Sequence, residues 1–544
     1  MAQLRPPLSF VLALACSSPA WGQTVSPLDQ NRVDRQQPTV PEPATAPQTS
    51  PPIAGAAAAI EADDANAAPI RSIRFGETQV PAVVGEAAQR FVGQPATRTN
   101  LKALTQAMTE AYGRSNVALF TIVVPRQDLS TGDLLVLVGE GYLQGVTLEG
   151  EVEGRPLKLV KAYAEKLTRE RPTSRARLER YLSLIRDIPG LTADARLQMG
   201  QGRGAVRMVI KLDYARPRFT TAFSNRTTQL AGGGEIETRG LGYDLFREGD
   251  RTEATVLASV NFKDMLYGGL SHSLALGSEG ARLALSYGHL ETRAKGTRIA
   301  GTADTAGLTL TYPILRGYRR NLSATLAVDG VNSDNTVFGS LIASERSRAA
   351  RAAIGYSLVG KRRVTSAGLT VSQGLDLLGA RIASGSGGVG FFKANGRAQI
   401  NQAVGQRAAL RLNASGQWTR DALPAVERFS IGGDTFGRAF ENALISADRG
   451  LAGAAEFGLR PLRAGPLAQT ELYGFVDYAA VRLLARPGFT GRDFDLGSAG
   501  GGVRLAYKQD AMIGLEAANT IDSPYPNYAS EWRFSVTWRL SLKP

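Results

Sequence analysis

Residues 532–540, WRFSVTWRL, place apolar or aromatic side chains at every second position and polar or charged side chains between them. A period of two is the pattern of a β-strand with one apolar face and one polar face. The apolar face has aromatic residues towards its ends, where membrane-spanning strands have their interfacial aromatic residues. This stretch therefore predicts a strand with lipid on one side and water on the other.

The same alternation continues over more than 300 residues of the chain. It is clear at residues 308–312 (LTLTY), 322–329 and 410–418, and turns rich in Gly, Asp and Asn separate the runs. A β-sandwich also alternates, but its strands are shorter and its polar face meets bulk water. About sixteen strand candidates fit, and bacterial outer-membrane barrels have an even number of strands. We therefore predict a transmembrane antiparallel β-barrel over residues 216–544.

The N-terminus reads as an export signal that would be cleaved after Gly22. Arg5 supplies the positive charge, residues 8–15 (LSFVLALA) supply the apolar core, and Ala20 and Gly22 are the small residues before the cleavage site. A lipoprotein signal acylated at Cys16 is the alternative, but its flanking residues fit that pattern poorly. After the signal no run of 18 apolar residues exists, so the sequence predicts no membrane-spanning helix.

The composition argues against enzymatic chemistry. The chain has one Cys and two His, too few for a metal centre, thiol catalysis or His-based acid–base catalysis. Residues 355–362 (GYSLVGKR) nearly match a phosphate-binding loop, but Arg362 replaces the required hydroxyl and no helix follows. The net charge of +14 fits a basic pore wall or a face that meets anionic lipid. Because the chain is exported, nucleic acid is the poorer explanation. We predict no catalytic residues, no metal and no cofactor.

Two similar units precede the barrel. Each reads as strand, helix, helix, strand, strand over about 75 residues, the first at 69–141 and the second at 142–215. In the first unit Leu101, Leu104 and Met108 fall on one helical face, and a matching apolar face recurs in the second unit. Residues 23–68 are rich in Pro and Ala and predict a linker. Within it, a polar segment at about 28–37 has the flanking prolines of a short helix.

The longest gap in the alternating pattern lies at about 421–449, between the eleventh and twelfth strand candidates. A loop of this length with no structure of its own is usually functional or disordered, and its glycines and aromatic residues favour an ordered loop. Arg438 lies between aromatic residues, and an Arg folded into a barrel lumen requires a carboxylate. The candidate carboxylate is Asp477, two strands after the loop. Phe475 and Asp477 are two residues apart and therefore lie on the same face of their strand.

These features together resemble the transporter component of two-partner secretion (type Vb), the TpsB or ShlB/FhaC/HecB family of the Omp85 superfamily. The resemblance covers nearly the whole mature chain, including residues 29–36 (DQNRVDRQ) and the turn at 187–190 (DIPG). In this family the loop Arg pairs with the strand Asp, which implies the pair Arg438 and Asp477. The supporting motif residues are Gly432, Gly433, Gly437, Ala439, Phe440 and Phe475. Gly437 and Ala439 replace the usual Val and Gly of the loop tip.

The resemblance implies a domain order for the whole chain. The implied divisions are 1–22 signal peptide, 23–68 plug helix (about 28–37) and linker, 69–141 POTRA 1, 142–215 POTRA 2, and 216–544 barrel with a long sixth extracellular loop at about 421–449. The fold class implied is thus a sixteen-stranded transmembrane barrel preceded by two α+β POTRA domains. The location implied is the bacterial outer membrane, with the POTRA domains in the periplasm.

The function implied is recognition and export of one large TpsA-type partner protein, such as a haemolysin or filamentous adhesin, through the barrel without nucleotide hydrolysis. The POTRA domains would catch the unfolded partner, and barrel assembly machinery would insert the chain among outer-membrane lipid and lipopolysaccharide. An outer-membrane insertase of the BamA or TamA kind is the alternative, although such proteins typically carry more POTRA units. A passive porin and a soluble secreted β-protein are the two remaining alternatives.

Overall fold

The computed structural model describes residues 56–60, 68–150, 157–227, 233–294, 298–383, 385–462, 464–508, 510–526, 528 and 531–542. The predicted signal peptide and the predicted helix at about 28–37 lie outside these residues. Among the described helices, none is both long enough and apolar enough to cross a membrane.

The first unit follows the predicted order of strands and helices, with one added strand in front and with the last predicted strand divided into two. Its elements are β1 (Ala56–Ile60), β2 (Ser72–Arg74), α1 (Ala82–Gln89), α2 (Arg98–Arg114), β3 (Phe120–Val124), β4 (Asp133–Leu135) and β5 (Leu137–Glu140). Helix α2 begins where the Thr97 side chain accepts a hydrogen bond from the Asn100 N–H. Its predicted apolar face, Leu101, Leu104 and Met108, is fully buried in the core of this unit.

Strand β1 lies within the segment that the sequence predicted to be a linker. It pairs in parallel with β3, from Ala56 beside Phe120 to Ile60 beside Val124. The segment reads AAAAI, without alternation and with Ile60 as its one β-branched residue, so it is unlike a typical strand. Its order comes from main-chain pairing with β3, which the sequence pattern of the linker could not reveal.

The second unit repeats the order of the first. Its elements are β6 (Tyr142–Gly150), α3 (Lys158–Leu167), α4 (Arg175–Arg186), β7 (Leu191–Met199) and β8 (Ala205–Tyr214). The sheet has the order β6-β8-β7, with β6 parallel and β7 antiparallel to β8. Leu178, Leu182 and Ile185 of α4 are buried against this sheet, as their helical spacing predicted.

Sixteen antiparallel strands close into a barrel, which confirms the predicted architecture. They are β9 (Arg218–Ser224), β10 (Glu235–Tyr243), β11 (Arg251–Ser259), β12 (Met265–Leu276), β13 (Ala281–Arg293), β14 (Ile299–Arg316), β15 (Arg320–Val337), β16 (Ser340–Val359), β17 (Arg363–Gly374), β18 (Phe392–Val404), β19 (Ala408–Thr419), β22 (Arg449–Leu459), β23 (Glu471–Leu483), β24 (Arg492–Tyr507), β25 (Ala511–Asp522) and β26 (Trp532–Leu542). The last strand pairs with the first and closes the sheet.

The outer face of the barrel is apolar and exposed. Side chains that alternate along the strands, such as Leu308 (44% exposed), Leu326 (60%) and Phe534 (68%), face outward. Their neighbours face the lumen, and Ser535 and Thr325 among them are buried. A soluble protein seldom exposes such an area of apolar surface, whereas a barrel in lipid requires it.

The second unit packs on the end of the barrel that carries the short turns. Glu248, in the turn after β10, accepts hydrogen bonds from the N–H of Leu159 at 3.1 Å, at the start of α3. Helix α3 has no capping side chain of its own, so the barrel turn satisfies its free N–H group. Arg316 at the end of β14 binds Asp187 through two hydrogen bonds of 2.6 and 2.8 Å.

Candidate functional site in the barrel lumen

The long loop between β19 and β22 folds into the barrel rather than away from it. It contains a short helical turn (Ala425–Glu427) and a hairpin of β20 (Phe429–Ile431) and β21 (Ile445–Ala447). The tip between the two strands of this hairpin, residues 432–444, contacts lumen-facing side chains of β22 to β25. The barrel strands are joined at two ends, and the second α+β unit packs on the end with the short turns. Among the connections at the other end, this loop is the sixth along the chain.

Three glycines shape the tip, and each has a positive φ: Gly432 (+100°), Gly433 (+117°) and Gly437 (+76°). A side chain at Gly432 would meet the Glu441 carbonyl oxygen at 2.3 Å, and one at Gly437 would meet Leu496 Cδ1 at 2.7 Å. The N–H of Gly432 donates to the Phe436 carbonyl, and that of Gly433 donates to the Gly437 carbonyl. Only glycine fits both the backbone angles and the space.

Asp477 of β23 holds the tip by its main chain. Its carboxylate accepts hydrogen bonds from the N–H of Gly437 at 2.6 Å and the N–H of Arg438 at 3.4 Å. The Ser498 hydroxyl, in the neighbouring strand β24, lies 2.7 Å from both carboxylate oxygens. Asp477 is 2% exposed, so these donors are what stabilise its charge.

The guanidinium of Arg438 binds other carboxylates than the one the sequence predicted. Its Nη1 donates to Glu456 of β22 at 2.8 Å and to Glu516 of β25 at 3.3 Å. The predicted pairing of Arg438 with Asp477 is therefore corrected: the two residues meet through a main-chain N–H, while the side chain passes to the next carboxylates. The guanidinium carbon lies 4.2 Å from the centre of the Phe475 ring, a cation–π contact.

A second arginine, from the first loop of the same end, fixes the tip from the opposite side. Arg226 donates to the carbonyl oxygens of Gly433 and Arg438 at 3.4 Å each and pairs with Asp434 at 3.2 Å. It also binds Glu516, the carboxylate that Arg438 uses. Two buried cations thus share one half-buried anion at the tip.

The charged cluster extends along the lumen wall beyond the tip. Arg504 of β24 binds Glu456 at 2.8 and 2.9 Å and stacks on Tyr473, with 3.6 Å from its guanidinium carbon to the ring centre. Arg411 of β19 bridges Glu456 and Glu471, with distances of 2.6 to 2.8 Å. Charges of opposite sign on five neighbouring strands form a continuous network, which holds the wall in one arrangement.

The base of the loop has two anchors of its own. Glu427, in the helical turn, is contacted by Arg351 of β16 at 2.8 Å and by Lys393 of β18 at 2.9 Å. Asp448, at the other end of the loop, is fully buried and accepts from Arg486 at 2.6 Å and from the Leu423 N–H at 2.7 Å. The loop is therefore held at its base as well as at its tip.

The remaining predicted residues support the tip by packing. Ala439 and Phe440 are buried together with Phe475, and the Phe440 ring lies 5.3 Å from that of Tyr528. Glu456 and Glu516 were not predicted as site residues, although each is an acidic residue at a lumen-facing position of an alternating strand. Their charge at such positions was the available signal. Glu427 and Asp448 carry no comparable signal, because they lie in loop segments without a period.

The contacts of this arrangement can fix or release a loop. Within the described residues, no three His, Cys, Asp or Glu side chains are grouped as a metal site would require. The carboxylates of Glu456 and Asp477 are bound by arginines, a hydroxyl and main-chain N–H groups, so they serve as structural acceptors.

Comparisons with known proteins point to secretion proteins. Residues 271–505 match the family described as "Haemolysin secretion/activation protein ShlB/FhaC/HecB". The chain is 20% identical over 255 residues to the heme/hemopexin transporter protein HuxB of Haemophilus influenzae, an alignment over 45% of this chain and 44% of HuxB. The chain thus matches less than half the length of this relative.

Two solved structures share the fold over most of their length. CdiB from Escherichia coli superposes with a TM-score of 0.67 at 17% identity, over 94% of this chain and 95% of that one. CdiB from Acinetobacter baumannii gives 0.61 at 18% identity, over 88% and 90%. At these identities the likeness establishes the fold.

Proposed function

Because residues 271–505 match the ShlB/FhaC/HecB family of haemolysin secretion/activation proteins, we propose that the chain exports one large TpsA-type partner protein across the bacterial outer membrane. A haemolysin or a filamentous adhesin is the expected kind of partner. The observation that carries this proposal is the barrel whose lumen holds an ordered loop at one end, while an α+β unit packs on the other end.

The route follows from this arrangement. The two α+β units, as POTRA domains at 69–141 and 142–215, would bind the unfolded partner in the periplasm by adding its extended segments to a sheet edge. The partner would then pass through the barrel in extended form, with the signal peptide (1–22) already removed and the plug helix (about 28–37) out of the lumen. Folding of the partner outside the cell would supply the drive, so no nucleotide, cofactor or catalytic residue takes part.

In this proposal Arg438 and Asp477 set the position of the sixth loop at about 421–449. Asp477 holds the main chain of the tip, and Arg438 connects the tip to Glu456 and Glu516. Gly432, Gly433 and Gly437 give the tip its shape, and Ala439, Phe440 and Phe475 pack around it. The tip must shift or reorganise when a chain passes, so its contacts set the threshold for opening.

The experiment is a comparison of secreted proteins with and without this chain. Deleting its gene in the source bacterium should remove one large protein from the cell surface and the medium, as measured by quantitative mass spectrometry. The same protein should accumulate or be degraded in the periplasm, and the plasmid-borne gene should restore export. Unchanged surface and secreted fractions would overturn the proposal.

An insertase of the BamA or TamA kind remains the second candidate, and one observation favours it. The seam between the first and last strands is short, from Thr537 beside Ser224 to Leu542 beside Phe219. A short seam opens laterally more readily than a long one, as release of a barrel into the bilayer requires. If the chain is an insertase, deleting its gene should instead lower the amounts of several outer-membrane barrel proteins together. The proteins in the medium should then be unchanged.

A further inference from the structure

Within the described residues, the two repeated units differ at one edge of their sheets, which is covered by a further strand in the first unit and not in the second. In both units the strand after the two helices has one antiparallel partner from its own unit: β3 pairs with β5 in the first unit, and β7 pairs with β8 in the second. On its other side β3 is covered by the linker strand β1. Strand β7 has no partner strand on that side among the described residues. The linker therefore fills a position that the repeat leaves open.

Strand β1 is held in place weakly. Four of its five residues are alanines, which have low strand propensity and little side-chain surface to bury. Ile60 alone contributes a large side chain, and it packs only partly against the core of the first unit. Ala59 is exposed. The pairing thus depends on the main chain, which any extended segment of suitable length can reproduce.

We propose that the outer edge of β3 is a binding site for an extended segment of the exported protein, and that β1 occupies it until this segment displaces it. The inference rests on the proposed function for the identity of the incoming chain. The incoming strand runs parallel to β3, as β1 does. A small side chain at most positions, with an aliphatic one where Ile60 packs, fits the edge.

The occupied edge also has a protective role. An open strand edge on a periplasmic unit would pair with any extended chain, including a second copy of itself. A weak internal strand excludes such partners while yielding to a chain that arrives with several suitable segments. The second unit, with β7 uncovered, offers such a chain its first contact.

Two opposite variants test this inference in the full-length protein. Ala59 and Val123 are paired in register, and neighbouring strands lie about 4.8 Å apart, within the range that a disulfide bridges. A59C/V123C therefore locks β1 on β3. A58P/A59P releases it, because consecutive N–H groups point to opposite sides of a strand and one of the two must face β3. Each single cysteine variant and the linker variant A44P/T45P are the matched controls.

Binding is measured with a fluorescent peptide of this chain's own residues 54–62 (AGAAAAIEA) and the purified protein in detergent, by anisotropy. The released variant should bind the peptide at least about ten-fold more tightly than the unmodified chain, and the oxidised locked variant should not bind it. Equal binding by all three would overturn the inference.

Export provides an independent readout in cells. The locked variant should export less than either single cysteine variant, and added reductant should restore it. Full export by a locked variant whose disulfide is verified would overturn the inference and leave the proposed function intact. If the deletion experiment shows no exported partner while the peptide still binds the released variant, the proposed function fails and the strand-binding edge stands.

Discussion

The carboxylate of Asp477 in β23 accepts a hydrogen bond of 2.6 Å from the main-chain N–H of Gly437. The barrel wall therefore holds the tip of its longest loop by the backbone, independently of the side chain at position 438. The Arg438 guanidinium instead binds Glu456 and Glu516, which lie on other strands. Asp477 thus holds the main chain of the tip, whereas Arg438 makes its ion pairs. Variants at the two positions can separate these two contributions.

Asp477→Asn should loosen the tip without disturbing the barrel. An amide oxygen accepts more weakly than a carboxylate, and the amide N–H₂ would face the donors Gly437 N–H and Ser498 Oγ. Hydrogen bonds to a charged group contribute about 1.5–3 kcal/mol, so the fixed position of the tip should lose most of its advantage. Hydrogen exchange at residues 432–444 should rise in the purified protein. Unchanged exchange there would contradict this role of Asp477.

Arg438→Ala should lower export while the barrel still inserts. Removing one partner of a buried ion pair costs about 3–5 kcal/mol, because Glu456 and Glu516 lose a cation. Arg226 and Arg504 still neutralise them, which favours the lower end of that range. Heat-modifiable migration in gels verifies the folded barrel, and secretion is measured in parallel. Arg438→Lys is the matched control for charge, and wild-type export by a folded Arg438→Ala barrel would rule out the proposed role.

Gly437→Ala should distort the tip by sterics alone. Its φ of +76° is unfavourable for alanine, and the added methyl would lie 2.7 Å from Leu496 Cδ1. We expect a loss of about 1–3 kcal/mol of local stability and reduced export. Gly396→Ala in β18 is the control, because its φ is not positive and no atom lies within 4 Å of the added methyl. Equal behaviour of the two variants would show that the tip tolerates strain.

Asp187→Asn should free the second unit from the barrel turns. Arg316 is 5% exposed, and this substitution removes the anion that it binds with two hydrogen bonds. The loss should be about 1.5–3 kcal/mol of docking free energy, seen as a broader distance distribution between spin labels on α4 and on the barrel. The exposed pair Arg196 and Glu149 is the control, and Arg196→Ala should cost at most about 1 kcal/mol.

The same interface should weaken in acid. Partial burial raises the pKa of Glu279, but hydrogen bonds from Lys166 and Tyr181 and the charges of Lys166 and Arg180 outweigh it and hold that pKa below its usual value. A carboxyl with a lowered pKa stabilises the docked state fully above its unfolded pKa of 4.5. This contribution is lost as the pH falls through the lower folded value.

The spin-label distances between α4 and the barrel should therefore broaden as the pH falls below 4.5. In Glu279→Gln the broadening assigned to this residue should be absent. A pH response that is identical in both proteins would place the titrating group elsewhere.

The order of elements was predictable because local patterns carry it. The period of two in strands such as β26, and the period of about 3.6 in α2 and α4, reflect which side of each element meets an apolar environment. The loop of residues 421–449 was found as an interruption of that period, and Arg438 and Asp477 as charged residues in its surroundings. The prediction of Asp477 as the side-chain partner of Arg438 was wrong. Asp477, Glu456 and Glu516 all line this part of the lumen, and only their positions in the closed barrel decide which of them the guanidinium reaches.

The sequence by itself determined a barrel of about sixteen strands and its two preceding α+β units, since alternation, repetition and short motifs are local properties. Tertiary structure alone decided that Asp477 binds the loop by its main chain, that Arg438 reaches Glu456 and Glu516, and that an alanine-rich linker segment becomes β1. These facts depend on distances between residues far apart in the chain. Such distances are fixed by barrel closure and by main-chain hydrogen bonds, which are available to almost any sequence.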